Sequence, residues 1–550
     1  MNRNKWISPS FFALLLVVTG LLFFTACGLT KKKEGTSDHK ASFTTIAGRG
    51  EPLRIVSGSE NKVLEPIVEE YAAKSNKKVS LTYLGSLDIM KRLQAKMTDF
   101  DAVWPASSIW LQMGDKEHRL KHQATTSVSP VIFGIKKSLA RELGFVGRKD
   151  VKMEEIIQAI RSGKLKFAMT SATQSNSGAS AYLAFLTAFS KNPKEGLTME
   201  DLENEQVKEK IKTLLGGVNR SSGSSNWLVD LFLMGDYNAM VNYEQLIIQT
   251  NQKLVDRGKD PLYAVYPVDG LSLSDSPLAY VPQGEGKEQE QKEQDFLKFQ
   301  EYILGAEAQK KIEETGKRNS FSKISAENKG VFKAEWGIQA DRILSPIRFP
   351  KSEVILEALQ RYQVEFKKPA YTIYLLDFSG SMAGKGHDQM MQALEQVLDS
   401  HKAKANLLQG TEADRTVIIP FASQPGRPSS QDGNRLEDLL EGVKKVSIGG
   451  GTALYEAGLK ALDMVKEEKQ IDSYTPAIVL LTDGLANGMK NVKDLERAYR
   501  ALGRDVPIFS IQFGDADREE LDKIAELTHA RVFDGRKDLV EAFRAVKGYN

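Results

Sequence analysis

The run Asp377-Phe378-Ser379-Gly380-Ser381 sets one carboxylate and two hydroxyls at alternate positions. In a turn that sends every second side chain inward, those oxygens converge on one point. An all-oxygen ligand set of this kind suits a small hard cation such as Mg²⁺, which prefers an octahedral oxygen shell and gives up its waters reluctantly. The pattern alone is weak, because loosely specified positions recur by chance in a long chain. A superficial phosphate-loop reading of Ser379 to Gly386 fails: the glycine spacing is one residue short, and Lys385 is followed by Gly386 rather than Ser or Thr.

The elements that would position these oxygens are legible. Tyr371 to Leu376 is a nearly continuous apolar run, the texture of a central parallel strand buried on both faces. Loops at the carboxyl ends of such strands form the ligand crevice of an open α/β sheet. A second buried strand, Ala477 to Leu481, ends in Thr482-Asp483-Gly484, and Gly449-Gly450-Gly451-Thr452 opens a helix. Further strands are expected at 416–421 and 506–514, and helices at 388–401, 436–446, 453–465, 492–502 and 539–546.

With these pieces in order, residues 369–550 resemble the von Willebrand factor A (VWA) family. Its metal-ion-dependent adhesion site (MIDAS) combines D-x-S-x-S with a threonine from a second loop and an aspartate from a third. The resemblance assigns that site to Asp377, Ser379, Ser381, Thr452 and Asp483. It implies a doubly wound, Rossmann-like parallel sheet and a bound Mg²⁺ or Mn²⁺. Ser379, Ser381 and Thr452 would contact the ion, with Asp377 and Asp483 often acting through water. A coordination position is left for an acidic side chain of a partner, which is adhesion rather than catalysis. Gly380 and Gly484 are expected to serve backbone geometry at tight turns.

Before this domain, residues 44–345 alternate short apolar runs with amphipathic helices, an α/β texture that predicts parallel strands. The strand 53–56, the Ser/Gly loop 57–60, a helix over 63–75, a strand over 79–84 and a helix over 87–97 resemble the first lobe of the bacterial extracellular solute-binding proteins. The resemblance continues in Ser175-Asn176-Ser177-Gly178, Met240 to Glu244, Tyr266 to Gly270, Asp275 to Val281 and Gly316-Lys317-Arg318. It implies a two-lobed periplasmic-binding-protein-like domain. Ser57, Ser59, Ser107, Ser108, Ser175 and Ser177 lie in loops before helices, where hydroxyls and free N–H groups hold small polar or anionic ligands or, equally, cap the helices. Tyr243, with Trp104, Trp110 and Trp227, lines a cleft or fills a core. A connector over 346–368, with helical apolar spacing at 353–363, joins the halves. His118 and His122 would share a helix face, but their basic neighbours Lys116 to Lys121 read as solvated surface.

The whole chain bounds these readings. At 550 residues it needs several domains, and 41% hydrophobic with 27% charged residues is ordinary for a folded soluble protein. A net charge of +3 offers no electrostatic case for nucleic acid. No H-E-x-x-H or G-x-S-x-G pattern occurs, so nothing supports an enzyme. Cys27 is the single cysteine and excludes an internal disulfide. It follows a basic start, Arg3 and Lys5, and an apolar run from Phe11 to Phe24, the layout of a secretory signal over 1–26. Phe24-Thr25-Ala26-Cys27 resembles the bacterial lipobox, with Phe24 in place of the usual leucine, and implies a palmitate-type lipid anchor on Cys27. An uncleaved anchor helix is the alternative, and both tether the chain outside the cytoplasmic membrane. Residues 27–43 read as a flexible stalk. The expected function is a membrane-anchored extracellular binding or adhesion protein that meets a protein or polymer through its metal. The alternative is the solute-binding component of an ABC-type importer with an accessory docking domain.

Overall fold

The computed structural model describes residues 42–405, 408–483, 485–512, 517–536 and 539–547. The expected signal segment, Cys27, nearly all of the expected stalk and Gly484 lie outside the described residues.

The first lobe is a mixed sheet whose strand Arg49–Gly58 lies between two parallel neighbours, Lys77–Leu84 and Ala102–Trp104. Val79, Leu81 and Tyr83 alternate inward along Lys77–Leu84, the period of a strand with one buried face. Helix Glu65–Ser75 covers that face with Ile67, Val68, Tyr71 and Ala72, starting on Pro66 and ending at a left-handed Asn76. The helix expected from residue 63 starts two residues later, because Ser59–Leu64 is a tighter 3₁₀ turn. That turn carries Glu60 and Asn61 into the interior.

The parallel pattern expected throughout this half is not what forms. Pro277–Tyr280 returns antiparallel to Ala102–Trp104, and Ser129–Lys136 runs antiparallel to Ala239–Tyr243. Connectivity is the reason. The chain leaves the first lobe after Lys121–Thr125, builds the second, and comes back through Ser272–Ser274 into Pro277–Tyr280. Two of its crossings are clasped by backbone bonds, Val128 N to Arg318 O at 3.0 Å and Arg318 N to Val128 O at 2.9 Å. Thr126 Oγ1 donates to Ser276 O at 2.7 Å beside them. His118 and His122 do not share a helix. His118 lies in a turn, and His122 sits on Lys121–Thr125 with its Nε2 2.6 Å from Glu293 Oε1.

The second lobe packs around helix Asn176–Phe189, which is buried along nearly its whole length. Helix Ser352–Arg361, from the expected connector, lays Val354, Ile355, Ala358 and Leu359 into that same core. The Tyr182 hydroxyl donates to Ala358 O at 2.8 Å across the joint.

The C-terminal sheet holds six strands, with Ala370–Asp377 and Thr475–Thr482 at its centre. Arg415–Phe421 and Ile508–Gln512 extend it in parallel on either side, and Val532–Asp534 adds a further parallel strand. Among the described residues, only the edge strand Ser429–Asp432 is antiparallel. All eight residues of Ala370–Asp377 are buried, as a strand covered by helices on both faces must be. Helices Lys385–Leu398 and Leu454–Glu467 are among those that cover it.

The two halves share a core boundary. Trp227, on helix Ser225–Met234 of the second lobe, is buried among the apolar residues of the C-terminal domain. The Arg531 guanidinium lies over its ring at 4.8 Å.

Candidate functional site

The C-terminal site forms where the parallel strands end. Asp377 is the last residue of its strand and fully buried. Its Oδ1 accepts from Ser379 N at 2.8 Å and its Oδ2 from Thr482 Oγ1 at 2.7 Å. A 3₁₀ turn, Gly380–Met382, then brings Ser381 back beside Ser379, with the two Oγ atoms 3.0 Å apart. Ser381 Oγ donates to Asp483 Oδ1 at 2.9 Å, across a separation of 102 residues. Two carboxylates and two hydroxyls from two loops thus meet in one place.

The loop carrying Thr452 is docked against them by its backbone. Gly449 N donates to Phe378 O at 2.8 Å and Gly380 N to Gly450 O at 3.1 Å. Gly450 has φ +85°, and a Cβ on it would fall 2.5 Å from Ser423 Oγ, so this close approach requires glycine. Thr452 is clasped in turn: its N donates to Asn487 Oδ1 at 2.6 Å, and Asn487 N donates to Thr452 O at 3.0 Å. Sequence reasoning missed Asn487 and Ser423. Neither lies in the motif, and only the folded loops show their role.

Burial pushes the Asp377 carboxyl above its ordinary range, and neighbouring Asp483 pushes it the same way; the hydrogen bonds from Thr482 and Ser379 oppose this. Two acidic groups therefore crowd a partly desolvated pocket. The donor set is oxygen alone, which fits a hard divalent cation and does not fit zinc or copper well. Asp377, Ser379, Ser381, Thr452 and Asp483 are the residues available to hold such an ion.

In the N-terminal half the expected hydroxyls divide into two groups. Ser57 Oγ donates to Trp104 O at 3.2 Å and accepts from Asn61 Nδ2 at 3.2 Å, within the first lobe. Ser107 is the N-cap of the short helix Ser108–Gly114, and Ser108 N donates to Asp275 Oδ1 at 2.8 Å. These bonds are structural. Ser175 and Ser177 instead gather with Ser225, at 3.1 Å and 2.7 Å between Oγ atoms. The starts of helices Asn176–Phe189 and Ser225–Met234 therefore converge.

Ser59 faces this second group across the seam. Its carbonyl accepts from Asn226 Nδ2 at 3.2 Å, tying the first lobe to the second. Tyr243 is buried, and its hydroxyl accepts from Asn176 Nδ2 at 2.9 Å. Trp104 and Trp110 are core residues whose indole N–H groups donate to Thr126 Oγ1 and Asn176 Oδ1. Ser225, Asn226, Glu60 and Lys317 went unnoticed in the sequence as seam residues. Ser224-Ser225 before Trp227 carried the same hydroxyl-before-helix signal as Ser175 and Ser177.

Behind the seam, Arg318 and Glu244 form a fully buried bidentate pair, Nε to Oε2 and Nη2 to Oε1 both at 2.8 Å. This pair ties Arg318, in the crossing between the lobes, to the helix that starts at Glu244.

Comparison with known proteins follows this division. Inter-alpha-trypsin inhibitor heavy chain H4 of Homo sapiens is 28% identical over 169 residues, covering 28% of this chain and 17% of that protein. Heavy chain H3 of Pongo abelii is 26% identical over 152 residues, covering 27% and 17%. The chain thus spans under a fifth of the length of these curated relatives. Among solved structures, an extracellular solute-binding protein from Bordetella parapertussis aligns with a TM-score of 0.40 at 14% identity, over 56% of this chain and 96% of that one. A periplasmic thiamin binding protein aligns with a TM-score of 0.43 at 13% identity, over 58% and 99%. The sequence model of the bacterial extracellular solute-binding protein family matches residues 53–318, and that of the von Willebrand factor type A domain matches residues 373–541. Both families are binding modules. The chain is therefore an extracellular-type binding protein that joins a solute-binding-protein domain to a von Willebrand factor type A domain.

Proposed function

We infer that the A domain binds Mg²⁺ or Mn²⁺ through Asp377, Ser379, Ser381, Thr452 and Asp483, and with it an acidic group of an extracellular protein or polymer. The observation that carries this reading is the bond from Ser381 Oγ to Asp483 Oδ1, which closes oxygens from two separate strand ends onto one point. When bound, the ion supplies a Lewis-acidic position for a partner carboxylate. Asp377 orients Ser379 through the Ser379 backbone N–H, and Asn487 holds the Thr452 loop. Leu485 and Met489 stand exposed on the third loop, 60% and 90% accessible, and give a protein partner apolar surface beside the metal.

Lipidation of Cys27 would place this site on a tether at the outer face of a bacterial membrane, with the solute-binding half between anchor and A domain. The second reading, solute capture for an ABC-type importer, draws support from the polar seam between the two lobes. Thermal unfolding of the full chain with and without Mg²⁺ tests the first reading. At a hundredfold excess over its dissociation constant, a specific ion stabilises by about 2.7 kcal/mol. Asp377→Ala should abolish that gain. An equal Mg²⁺ response in wild type and variant would refute the metal site.

A further inference from the structure

The interlobe seam holds two opposite charges that do not touch each other. Glu60, on the 3₁₀ turn Ser59–Leu64, is 8% exposed, and its Oε1 has no hydrogen-bond partner among the described residues. A Cβ on Gly58 would fall 2.0 Å from that same oxygen, so glycine is what lets the carboxylate fold back along the chain. Lys317, beside Arg318 in the crossing between the lobes, is 0% exposed, and its Nζ donates to Asn61 Oδ1 at 3.2 Å. Burial pushes the Glu60 carboxyl up and the Lys317 ammonium down, and the charge of each partly offsets that for the other. A buried carboxylate oxygen without a donor is costly, and native proteins leave few such atoms unless something else completes them.

The surroundings supply the opposite pole. The hydroxyls of Ser175, Ser177 and Ser225 mark two helix N-termini, and neither N-cap residue, Ser175 nor Ser224, caps its helix with its side chain. Asn226 reaches from one of those helix starts to the carbonyl of Ser59, next to Glu60. Gln245 Nε2 approaches Glu60 O from the second lobe at 3.5 Å. The charge of Glu60 is also felt by the buried Tyr243 hydroxyl, which Asn176 holds. Positive helix ends, Lys317 and an unmet carboxylate thus face one seam.

We propose that this seam binds a small zwitterion carrying a primary ammonium, of the amino-acid class, with the ammonium on Glu60 and the anionic group toward Lys317 and the helix starts at Ser175 and Ser225. This rests on reading residues 53–318 as a solute-binding domain and is independent of the metal site. Closing the lobes removes water, so an uncompensated charge in the seam is expensive. Glu60 and Lys317 already sum to zero, and a neutral zwitterion keeps the sum at zero. A simple oxyanion would add a second negative charge beside Glu60 and leave its Oε1 without a donor. An ammonium with N–H groups meets that oxygen directly; a quaternary nitrogen has no N–H to give.

Titration calorimetry on the full chain tests this with glycine, L-alanine and L-glutamate, against acetate, sulfate, ethylammonium and glycine betaine. At least one amino acid should bind more tightly than every control. Glu60→Gln should weaken that binding by about tenfold to a hundredfold, since a charge-assisted bond is lost. Lys317→Met should weaken it as well, and thermal unfolding of both variants confirms that they fold. Tighter binding of sulfate or acetate than of any amino acid would overturn the zwitterion assignment while leaving a solute receptor in place. So would amino-acid affinity unchanged within about twofold in Glu60→Gln. Binding of no compound in the panel would overturn the assignment, while leaving open a solute of another class and without touching the Mg²⁺ test.

Discussion

Arg220 Nη1 lies 2.9 Å from Asp505 Oδ1, joining a strand of the solute-binding half to the A domain across 285 residues. Arg220 Nη2 donates to His529 O at 2.7 Å, and the Tyr237 hydroxyl donates to Asp505 as well. With Trp227 buried under Arg531 nearby in the same interface, the second lobe and the A domain meet through a defined, partly charged joint.

Arg220→Met should uncouple that joint. The guanidinium is 4% exposed, but Asp505 is one-third exposed and keeps the Tyr237 hydroxyl, so removing Arg220 should cost less than the roughly 3 kcal/mol of a fully buried pair. Scanning calorimetry should show unfolding split into two transitions. Burial works to raise the Asp505 carboxyl, but the Arg220 charge, with His529 and Tyr237, overrides it and holds the group well below the usual carboxylate range. A lowered folded value means that the bridge stabilises above the unfolded value of about 3.9 and is lost as pH falls below it. The stability advantage of wild type over the variant, measured by urea unfolding, should therefore be flat from pH 7 to 5 and shrink below about pH 4.

Trp227→Ala should be the more damaging substitution at the same joint. A large aromatic leaves a cavity in the A-domain core, at a cost of about 3–5 kcal/mol. A drop in the A-domain transition, with the solute-binding transition little moved, would match a side chain whose packing belongs to the domain it does not come from.

Asn487→Ala should act on the metal site without being a ligand. It removes the acceptor for Thr452 N and loosens the Thr452 loop. Losing a supporting hydrogen bond of this kind weakens metal affinity by about tenfold to a hundredfold. Mg²⁺ titration followed by intrinsic fluorescence should show the loss, and ion-free stability should fall by only about 1 kcal/mol.

Lys317 makes a prediction in the alkaline range. Burial pulls its ammonium down to about 8, with the Glu60 charge opposing. Between that value and the ordinary value near 10.4, the unfolded chain binds a proton that the folded chain does not, so stability rises with pH across this window. Subtracting the profile of Lys317→Met from that of wild type isolates this slope. A flat difference from pH 8 to 10 would mean that Lys317 is solvated.

Much of the architecture was legible in local pattern. The apolar run at 371–376 announced a doubly buried strand, and helix Val492–Leu502 forms within the expected bounds, with its Asn491 cap. The helix expected at 63–75 lost its first residues because Ser59–Leu64 winds more tightly, a choice apolar spacing does not encode. The antiparallel returns of Pro277–Tyr280 and Ser129–Lys136 were missed for a related reason. Strand direction is set by where the chain comes back, and periodicity does not record that.

By itself, the sequence determined the residue types and the ends of the strands that carry them: a carboxylate and hydroxyls at 377–381, an aspartate after 477–481, and hydroxyls ahead of helices in the N-terminal half. Only the tertiary structure decided which of these meet. Ser381 reaches Asp483, and Asn487 clasps Thr452, because adjacent parallel strands stack their carboxyl ends. Ser57 and Ser107 became internal bonds while Ser175, Ser177 and Ser225 converged. Glu60 and Lys317 lie 257 positions apart in the chain and share one seam only because the chain crosses between the lobes and returns. Local periodicity fixes which face of an element is buried, whereas the pairing of distant polar groups depends on loop closure and lobe packing, which no local pattern contains.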